Sequence, residues 1–99
     1  MTNQNEAMLN ALQEPLITTD ILTTALSSGN LEKGHEAISV MLMQGMDMFG
    51  AESAAMQQFC PVWDAIKGHI DRGDAEQALE QSNVWMLQLR EVLSIVKHG

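Results

Sequence analysis

The stretch that decides the fold is GDAEQALEQSNVWMLQLREVLSIV, residues 73–96. Its apolar and small residues recur at alternating intervals of four and three, the spacing of a helix face packed against another helix. This predicted stripe comprises Ala75, Leu79, Ser82, Met86, Leu89, Leu93 and Val96. Asp74 precedes it as a predicted N-cap, with Gln77 in the capping-box position, and Lys97 and His98 favour the helix C-terminus. The segment predicts one long amphipathic helix.

A second stretch, residues 30–49, has the same layout, with Asn30 as the predicted N-cap. Its predicted stripe comprises Leu31, His35, Ile38, Leu42, Gly45 and Phe49. With an offset of 44 residues, Gly29-Asn30 falls on Gly73-Asp74. The pattern fits either a true duplication or two hairpins that meet the same geometric demand.

The segments that precede these two helices are less regular. Pro15 is expected to interrupt the first of them, because a proline inside a helix loses a hydrogen bond and clashes with the preceding turn. Residues 1–15 are then a possible loosely packed N-terminal arm, followed by a helix that ends near Ser28. In the third helix Pro61 either kinks the helix or begins it, and residues 49–53, FGAES, link the hairpins with Gly50 as C-cap.

Together the segments predict an all-α protein, an antiparallel four-helix bundle built from two helical hairpins and forming a single domain over residues 1–99. The tripeptide Arg72-Gly73-Asp74 matches the motif that integrins read, but it falls on the corner of the second hairpin. Glycine permits the left-handed conformation that ends a helix, and aspartate caps the next one. We interpret the tripeptide as a turn.

The composition narrows the possible partners. The chain has 13 acidic and 5 basic residues and a formal net charge of -8, so phosphate backbones and anionic lipid surfaces would repel it. We expect no nucleic-acid and no membrane partner. The single cysteine cannot form an intramolecular disulfide, and the N-terminus has no signal-peptide pattern, so a cytoplasmic location is expected.

No pattern of catalytic or metal-binding residues emerges. Glu32 and His35 have the spacing of a di-iron ligand pair, but a second such pair is missing, and His35 is expected at the edge of the core. Cys60 has no CxxC partner and no nearby histidine base, and no glycine-rich phosphate loop is present. The sequence predicts no enzyme, no cofactor and no metal.

The methionine-rich segment MLMQGMDMFG, residues 41–50, is the one feature that suggests a binding surface. Met41 and Met48 are seven residues apart and are predicted to form a ridge beside the core stripe, and Trp85 lies outside the main stripe of the last helix. Flexible methionines accommodate varied helical ligands. These three residues are the predicted partner-binding site, with core filling or a homodimer seam as alternatives.

Two stretches, ALSSGNLEKGHEAI (25–38) and VWDAIKGHIDRGDAEQALEQSNVWMLQLREVL (62–93), carry a resemblance to a known family. In their order of helices and acidic corners, and in Leu89-Arg90-Glu91 near the end, they resemble the flagellin-export chaperones. That resemblance implies a helical bundle that holds an exported filament subunit in grooves between helices, here involving Met41, Met48 and Trp85. The chain departs from the family in its shorter length, in Pro15 and in the absence of tyrosine.

The sequence therefore favours a non-enzymatic, cytoplasmic helical adaptor or secretion/export chaperone that binds an apolar, amphipathic helix of a partner protein. The alternative is a small acidic inhibitor or immunity protein that blocks a basic site on an enzyme or a nucleic-acid machine. The two differ in salt dependence, since contacts between charges weaken as salt rises and apolar contacts do not.

Overall fold

The protein is described by a computed structural model that covers the backbone of residues 3–50 and 52–98 and the side chains of residues 6–50 and 52–97. It contains four helices, α1 Asn3–Ser27, α2 Leu31–Phe49, α3 Ala54–Asp71 and α4 Ala75–His98, and no strand over these residues. Each helix packs against the next along the chain, and α4 packs against α1. The predicted all-α antiparallel four-helix bundle is confirmed.

The two hairpin corners have the same hydrogen bonds. In the first, the Gly29 N–H donates to the Leu26 carbonyl and the Asn30 N–H donates to the Ala25 carbonyl. In the second, Gly73 and Asp74 donate in the same way to Ile70 and His69. This pairing closes a helix with a left-handed residue, and Gly29 and Gly73 have φ of 74° and 77°. Arg72-Gly73-Asp74 is a turn, as predicted.

Side chains cap the helices that follow these corners. Asn30 accepts a hydrogen bond from the Lys33 N–H, and Asp74 accepts one from the Gln77 N–H, each at 3.1 Å. Asp74 is the N-cap that the sequence predicts, but its own N–H bonds to His69 rather than to the Gln77 side chain, so the capping box is incomplete. In the link between hairpins, Gly50 has φ 85° and ends α2 as predicted. Ala51, within the same link, lies outside the described residues.

Neither proline interrupts its helix. α1 runs without a break through Pro15, and α3 runs through Pro61. Pro15 and Leu12 are buried, so that packing against the neighbouring helices extends into the second half of the segment expected to be a loose arm. The predicted interruption at Pro15 is wrong because tertiary burial outweighs the cost of one lost helical hydrogen bond, about 3 kcal/mol or more in an isolated helix interior.

The core stripes of α2 and α4 are rotated from the predicted ones by the same amount. At two places in each helix the innermost residue is the one before the predicted residue. In α2 these are Gly34 and Met41 in place of His35 and Leu42, and in α4 they are Ala78 and Trp85 in place of Leu79 and Met86. Gly34 is small because α1 approaches there: a Cβ at position 34 would lie 2.8 Å from the Leu26 side chain. Ala78, at the corresponding position of α4, is fully buried.

Aromatic rings fill the centre of the bundle. The Trp63 and Trp85 rings meet edge to face with centroids 5.1 Å apart, and Phe59 contacts both. Both tryptophans are at most 1% exposed. Edge-to-face pairs add stabilisation beyond the area that they bury, so α3 and α4 are held together largely through these rings.

Candidate functional site

The structure places the three predicted partner-binding residues differently from expectation. Met41 and Trp85 are each 1% exposed and belong to the core. Met48 is partly buried and packs against that core. The predictions that Met41 lies with Met48 on a ridge beside the core stripe, and that Trp85 lies outside the main stripe of α4, are therefore wrong, and for Met41 the alternative of core filling holds. The cause is the rotation of the core stripes. Substituting Glu for Met41 would bury a charge rather than test a docking surface.

Trp85 is fixed by a hydrogen bond that crosses from α4 to α1. Its indole N–H donates to the Thr19 hydroxyl at 3.0 Å, and this hydroxyl donates to the Pro15 carbonyl at 2.7 Å. Thr19 is fully buried. Because a buried donor without an acceptor costs about 1–3 kcal/mol, the chain of bonds explains why tryptophan and threonine occur together here. Trp85 has a structural role in the core.

The large apolar side chains that are exposed lie elsewhere. Ile17 and Ile21 on α1 are 61% and 42% exposed, and Val40 and Met43 on α2 are 43% and 65% exposed. We call these four residues the α1–α2 face. Four further exposed residues are Met46 on α2, at 51%, and Val84, Leu87 and Ile95 on α4, at 41%, 66% and 65%. A sequence prediction based on correctly placed core stripes would have found the α1–α2 face, because Ile17 and Ile21 follow each other by one helical turn away from the core.

A groove between α1 and α2 runs alongside this face. One cavity of about 200 Å³ is lined by Thr18 and Ile21 from α1 and by Lys33, Glu36, Ala37 and Val40 from α2. A second cavity, of about 420 Å³, follows towards the end of α2 and is lined by Ala7, Met8, Ala11, Glu14, Gln44, Asp47 and Met48. Met48, alone of the three predicted residues, lines this groove. The volume of this second cavity is in the range of sites that bind small ligands.

The charges that border the groove are mainly negative. Glu14, Glu36 and Asp47 line it, Asp20 lies on the exposed side of α1 next to Ile21, and Lys33 is the one cation among the lining residues described. The Oε1 atom of Gln44, which also lines the groove, is buried without a hydrogen-bond partner among the described residues. Carboxylates and an unpaired acceptor make this groove suited to donors and cations.

The residues weighed for catalysis do not come together. His35, expected at the edge of the core, is exposed, and its Nε2 atom lies 3.8 Å from Asp71 Oδ1 at the surface. Burial raises the pKa of the Cys60 thiol, and the negative charge of Asp64 and the hydrogen bond that Cys60 donates to it raise the pKa further. A raised pKa keeps the thiol protonated and a poor nucleophile at neutral pH.

The described part of the chain holds no cluster of metal-binding side chains and no helix that could span a membrane. Among the side chains of residues 6–50 and 52–97, no three of His, Cys, Asp or Glu are grouped so that they could hold a metal ion. Within the same ranges, none of the helices combines the length and the apolar character needed to cross a bilayer.

The chain matches no protein-family model, no curated protein and no solved structure. The resemblance to the flagellin-export chaperones stays a prediction from the sequence alone.

Proposed function

We propose that the protein is a non-enzymatic, cytoplasmic helical adaptor whose α1–α2 face binds an amphipathic helix of a partner protein. The observation that carries the proposal is the concentration of four large, exposed apolar side chains on two neighbouring helices. Exposed apolar side chains that occur singly need no explanation, whereas contiguous ones mark interaction sites. A secretion or export chaperone is one kind of adaptor that fits this description.

The four residues of the α1–α2 face are neighbours, both along each helix and across the cavity between the two helices. Ile17 and Ile21 are one turn apart on α1, and Val40 and Met43 are one turn apart on α2. Ile21 and Val40 line the same cavity. An apolar stripe on a partner helix can therefore contact all four while it lies along the groove, as helices do in other apolar grooves.

The charges around the α1–α2 face determine which charged residues a partner helix should carry beside its apolar stripe. Glu14, Asp20, Glu36 and Asp47 border it, against Lys33 alone. A second copy of this chain would bring a net charge of -8 against the same carboxylates, and like charges in an interface cost several kcal/mol. A partner helix with lysine or arginine beside its apolar stripe fits instead.

The proposal is tested with designed peptides and two matched pairs of substitutions. One peptide carries a leucine stripe with lysine flanks, and its counterpart carries the same stripe with glutamate flanks. Ile17→Ser with Met43→Ser removes exposed apolar groups from the face, whereas Leu87→Ser with Ile95→Ser removes equally exposed ones from α4. Binding is followed by fluorescence anisotropy of the labelled peptide, and thermal melting verifies that each variant is folded.

We expect the lysine-flanked peptide to bind, and the Ile17→Ser, Met43→Ser variant to bind it at least about tenfold more weakly, since each lost apolar contact of about 50 Å² removes roughly 1 kcal/mol. The α4 variant should bind as the unsubstituted chain does. Equal weakening in both variants, or none in either, would contradict the docking face.

The acidic-inhibitor alternative rests on the same carboxylates and predicts a different outcome. If charge alone drives binding, the lysine-flanked peptide should dissociate at about 1 M salt, where the screening length is about 3 Å. Under that alternative Glu36→Gln with Asp47→Asn should weaken binding, and Ile17→Ser with Met43→Ser should leave it unchanged. An adaptor gives the reverse order of effects, because its apolar contacts resist salt.

A further inference from the structure

A second groove, between α1 and α4, has the opposite charge from the α1–α2 groove. Its floor is formed by the partly buried side chains of Leu9, Leu16 and Leu93, and its volume of about 540 Å³ exceeds that of either cavity beside the α1–α2 face. Arg90 and Lys97 line it from α4. No carboxylate does so among the side chains described, in a chain with 13 acidic and only 5 basic residues.

We propose that this α1–α4 groove is a second docking site, which takes an acidic amphipathic helix with two carboxylates seven residues apart. Arg90 and Lys97 are themselves seven residues apart, which places them two helical turns, about 10.5 Å, from each other on one side of α4. Leu93 lies between them. A helix laid along the groove with the same seven-residue spacing brings one carboxylate to each cation and its intervening apolar residues to the leucine floor.

Both cations are available for this pairing. Among the side chains described the single ion pair is that of His35 with Asp71, which lies at the corner end of the bundle. Arg90 and Lys97 are exposed at the rim, and the uncharged polar residues Gln13 and Ser94 complete the lining. A partner carboxylate therefore replaces no existing ion pair, and the leucine floor beneath it excludes water and strengthens the charge contact.

The excess negative charge of the chain makes the groove selective. A peptide with acidic residues in no particular arrangement is repelled by a protein of net charge -8. Only a peptide that meets both cations and the apolar floor at once overcomes this repulsion. Register, and not acidity, is what the site recognises.

The test compares two acidic peptides of identical composition. In the first, two glutamates seven residues apart flank a pair of leucines on the same helix face. In the second, the glutamates are five residues apart and lie on different faces, since each residue turns the helix by about 100°. We expect the first peptide to bind at least about tenfold more tightly in a fluorescence anisotropy titration at low salt.

Two double variants with the same net charge separate the groove from the general field. Arg90→Gln with Lys97→Gln should weaken binding of the first peptide at least about tenfold. Lys67→Gln with Arg72→Gln, which also removes two positive charges and touches neither groove, should change it by less than about twofold. Charge reversal sharpens the comparison: Arg90→Glu with Lys97→Glu should reject the glutamate peptide and bind its lysine counterpart.

Three outcomes would overturn the proposal: no binding of the first peptide, equal binding of the two isomers, or equal weakening by the two glutamine variants. Each variant is first examined for helical content and melting temperature, so that a folding defect is not read as lost binding. The substitutions do not touch the α1–α2 face, so this inference can fail while the proposed adaptor function stands.

Discussion

The two interfaces between the hairpins, α1 with α4 and α2 with α3, occupy corresponding positions and are filled in different ways. With the offset of 44 residues, each buried position of α3 and α4 falls on a buried position of α1 or α2: 12 on 56, 15 on 59, 19 on 63, 22 on 66, 26 on 70, 34 on 78, 38 on 82, 41 on 85 and 45 on 89. Three further buried positions, 18, 25 and 37, fall on partly buried ones. The side chains at these positions differ in size and polarity. The same arrangement of helices is therefore filled by two different sets of buried side chains.

In the α2–α3 interface a large side chain packs against a glycine, which has no side chain. Trp63 is fully buried against Gly45, and a Cβ at position 45 would lie 2.6 Å from the Trp63 Cζ3 atom. The indole N–H of Trp63 has no hydrogen-bond partner among the described residues. Among the described side chains the polar contact between α2 and α3 is the surface pair of His35 and Asp71, so the centre of this interface relies on the fit of its side chains.

In the α1–α4 interface the sizes are exchanged and a hydrogen bond is added. Thr19 occupies the position that corresponds to Trp63, and Leu89 the one that corresponds to Gly45. Trp85, from the position that corresponds to Met41, donates to the Thr19 hydroxyl. The summed volume of the paired side chains therefore differs less between the two interfaces than the residue at any one position does, as expected for a close-packed core.

The largest effect on stability is expected when Gly45 in the α2–α3 interface is replaced by leucine, the residue at the corresponding position 89 of the α1–α4 interface. Gly45→Leu places a side chain in the space that Trp63 occupies, and we expect a loss of about 3 kcal/mol or more in the free energy of unfolding, or no folded protein at all. Urea denaturation followed by circular dichroism measures it.

The same comparison supplies the control for that variant. Gly45→Leu together with Trp63→Thr copies both residues of the α1–α4 interface and keeps the summed volume nearly constant. We expect it to recover at least about 1 kcal/mol relative to Gly45→Leu alone. If the second substitution destabilised the protein further, the correspondence between the interfaces would not extend to their packing.

A smaller effect is expected when each tryptophan becomes phenylalanine. Trp85→Phe removes a buried hydrogen bond, which contributes about 0.5–1.5 kcal/mol, whereas Trp63→Phe removes an unpaired donor that costs about 1–3 kcal/mol. Since both lose the same volume, we expect the Trp63→Phe protein to be more stable by roughly 2 kcal/mol. Equal midpoints in urea would show that the Trp63 N–H has found an acceptor, such as water.

The smallest effects are expected at the corners, where the two hairpins are alike. Gly29→Ala and Gly73→Ala should each cost about 1 kcal/mol, because both glycines have positive φ. Gly68→Ala provides the control: its Cβ would meet only the Arg72 side chain at 3.5 Å, and alanine inside a helix should gain about 0.5–1 kcal/mol. A clear difference in melting temperature between the two corner variants would contradict their equivalence.

The fold class and the corners could be predicted from the sequence because their signals are local. Gly73-Asp74 and Gly29-Asn30 combine a residue that tolerates positive φ with a residue that caps a helix, and both act within a few residues of chain. The spacing of apolar residues in residues 73–96 is similarly local. Both signals can be read from the sequence without knowing which helix packs against which.

The register of the core could not be predicted because small residues mark it. Gly34 and Ala78 are buried without being large apolar residues, and the spacing of four and three places their neighbours His35 and Leu79 on the predicted stripes instead. The wrong position of the core stripes also made the predicted partner-binding residues wrong. Predicted stripes that place Leu42 and Met86 in the core place Met41 and Trp85 at the surface, and they do not indicate the exposed residues Ile17, Ile21, Val40 and Met43.

The edge-to-face pair of Trp63 and Trp85 gives the molecule an internal optical reporter. The chain has 2 tryptophans, no tyrosine and one cysteine, so its near-ultraviolet absorption comes almost entirely from these two indoles, whose rings lie 5.1 Å apart at 86°. Fixed aromatic rings give near-ultraviolet circular dichroism that disappears when side-chain packing loosens, even where the helices persist. A single spectrum can therefore distinguish a variant that has lost its helices from one that has kept them and lost only the fit between its hairpins.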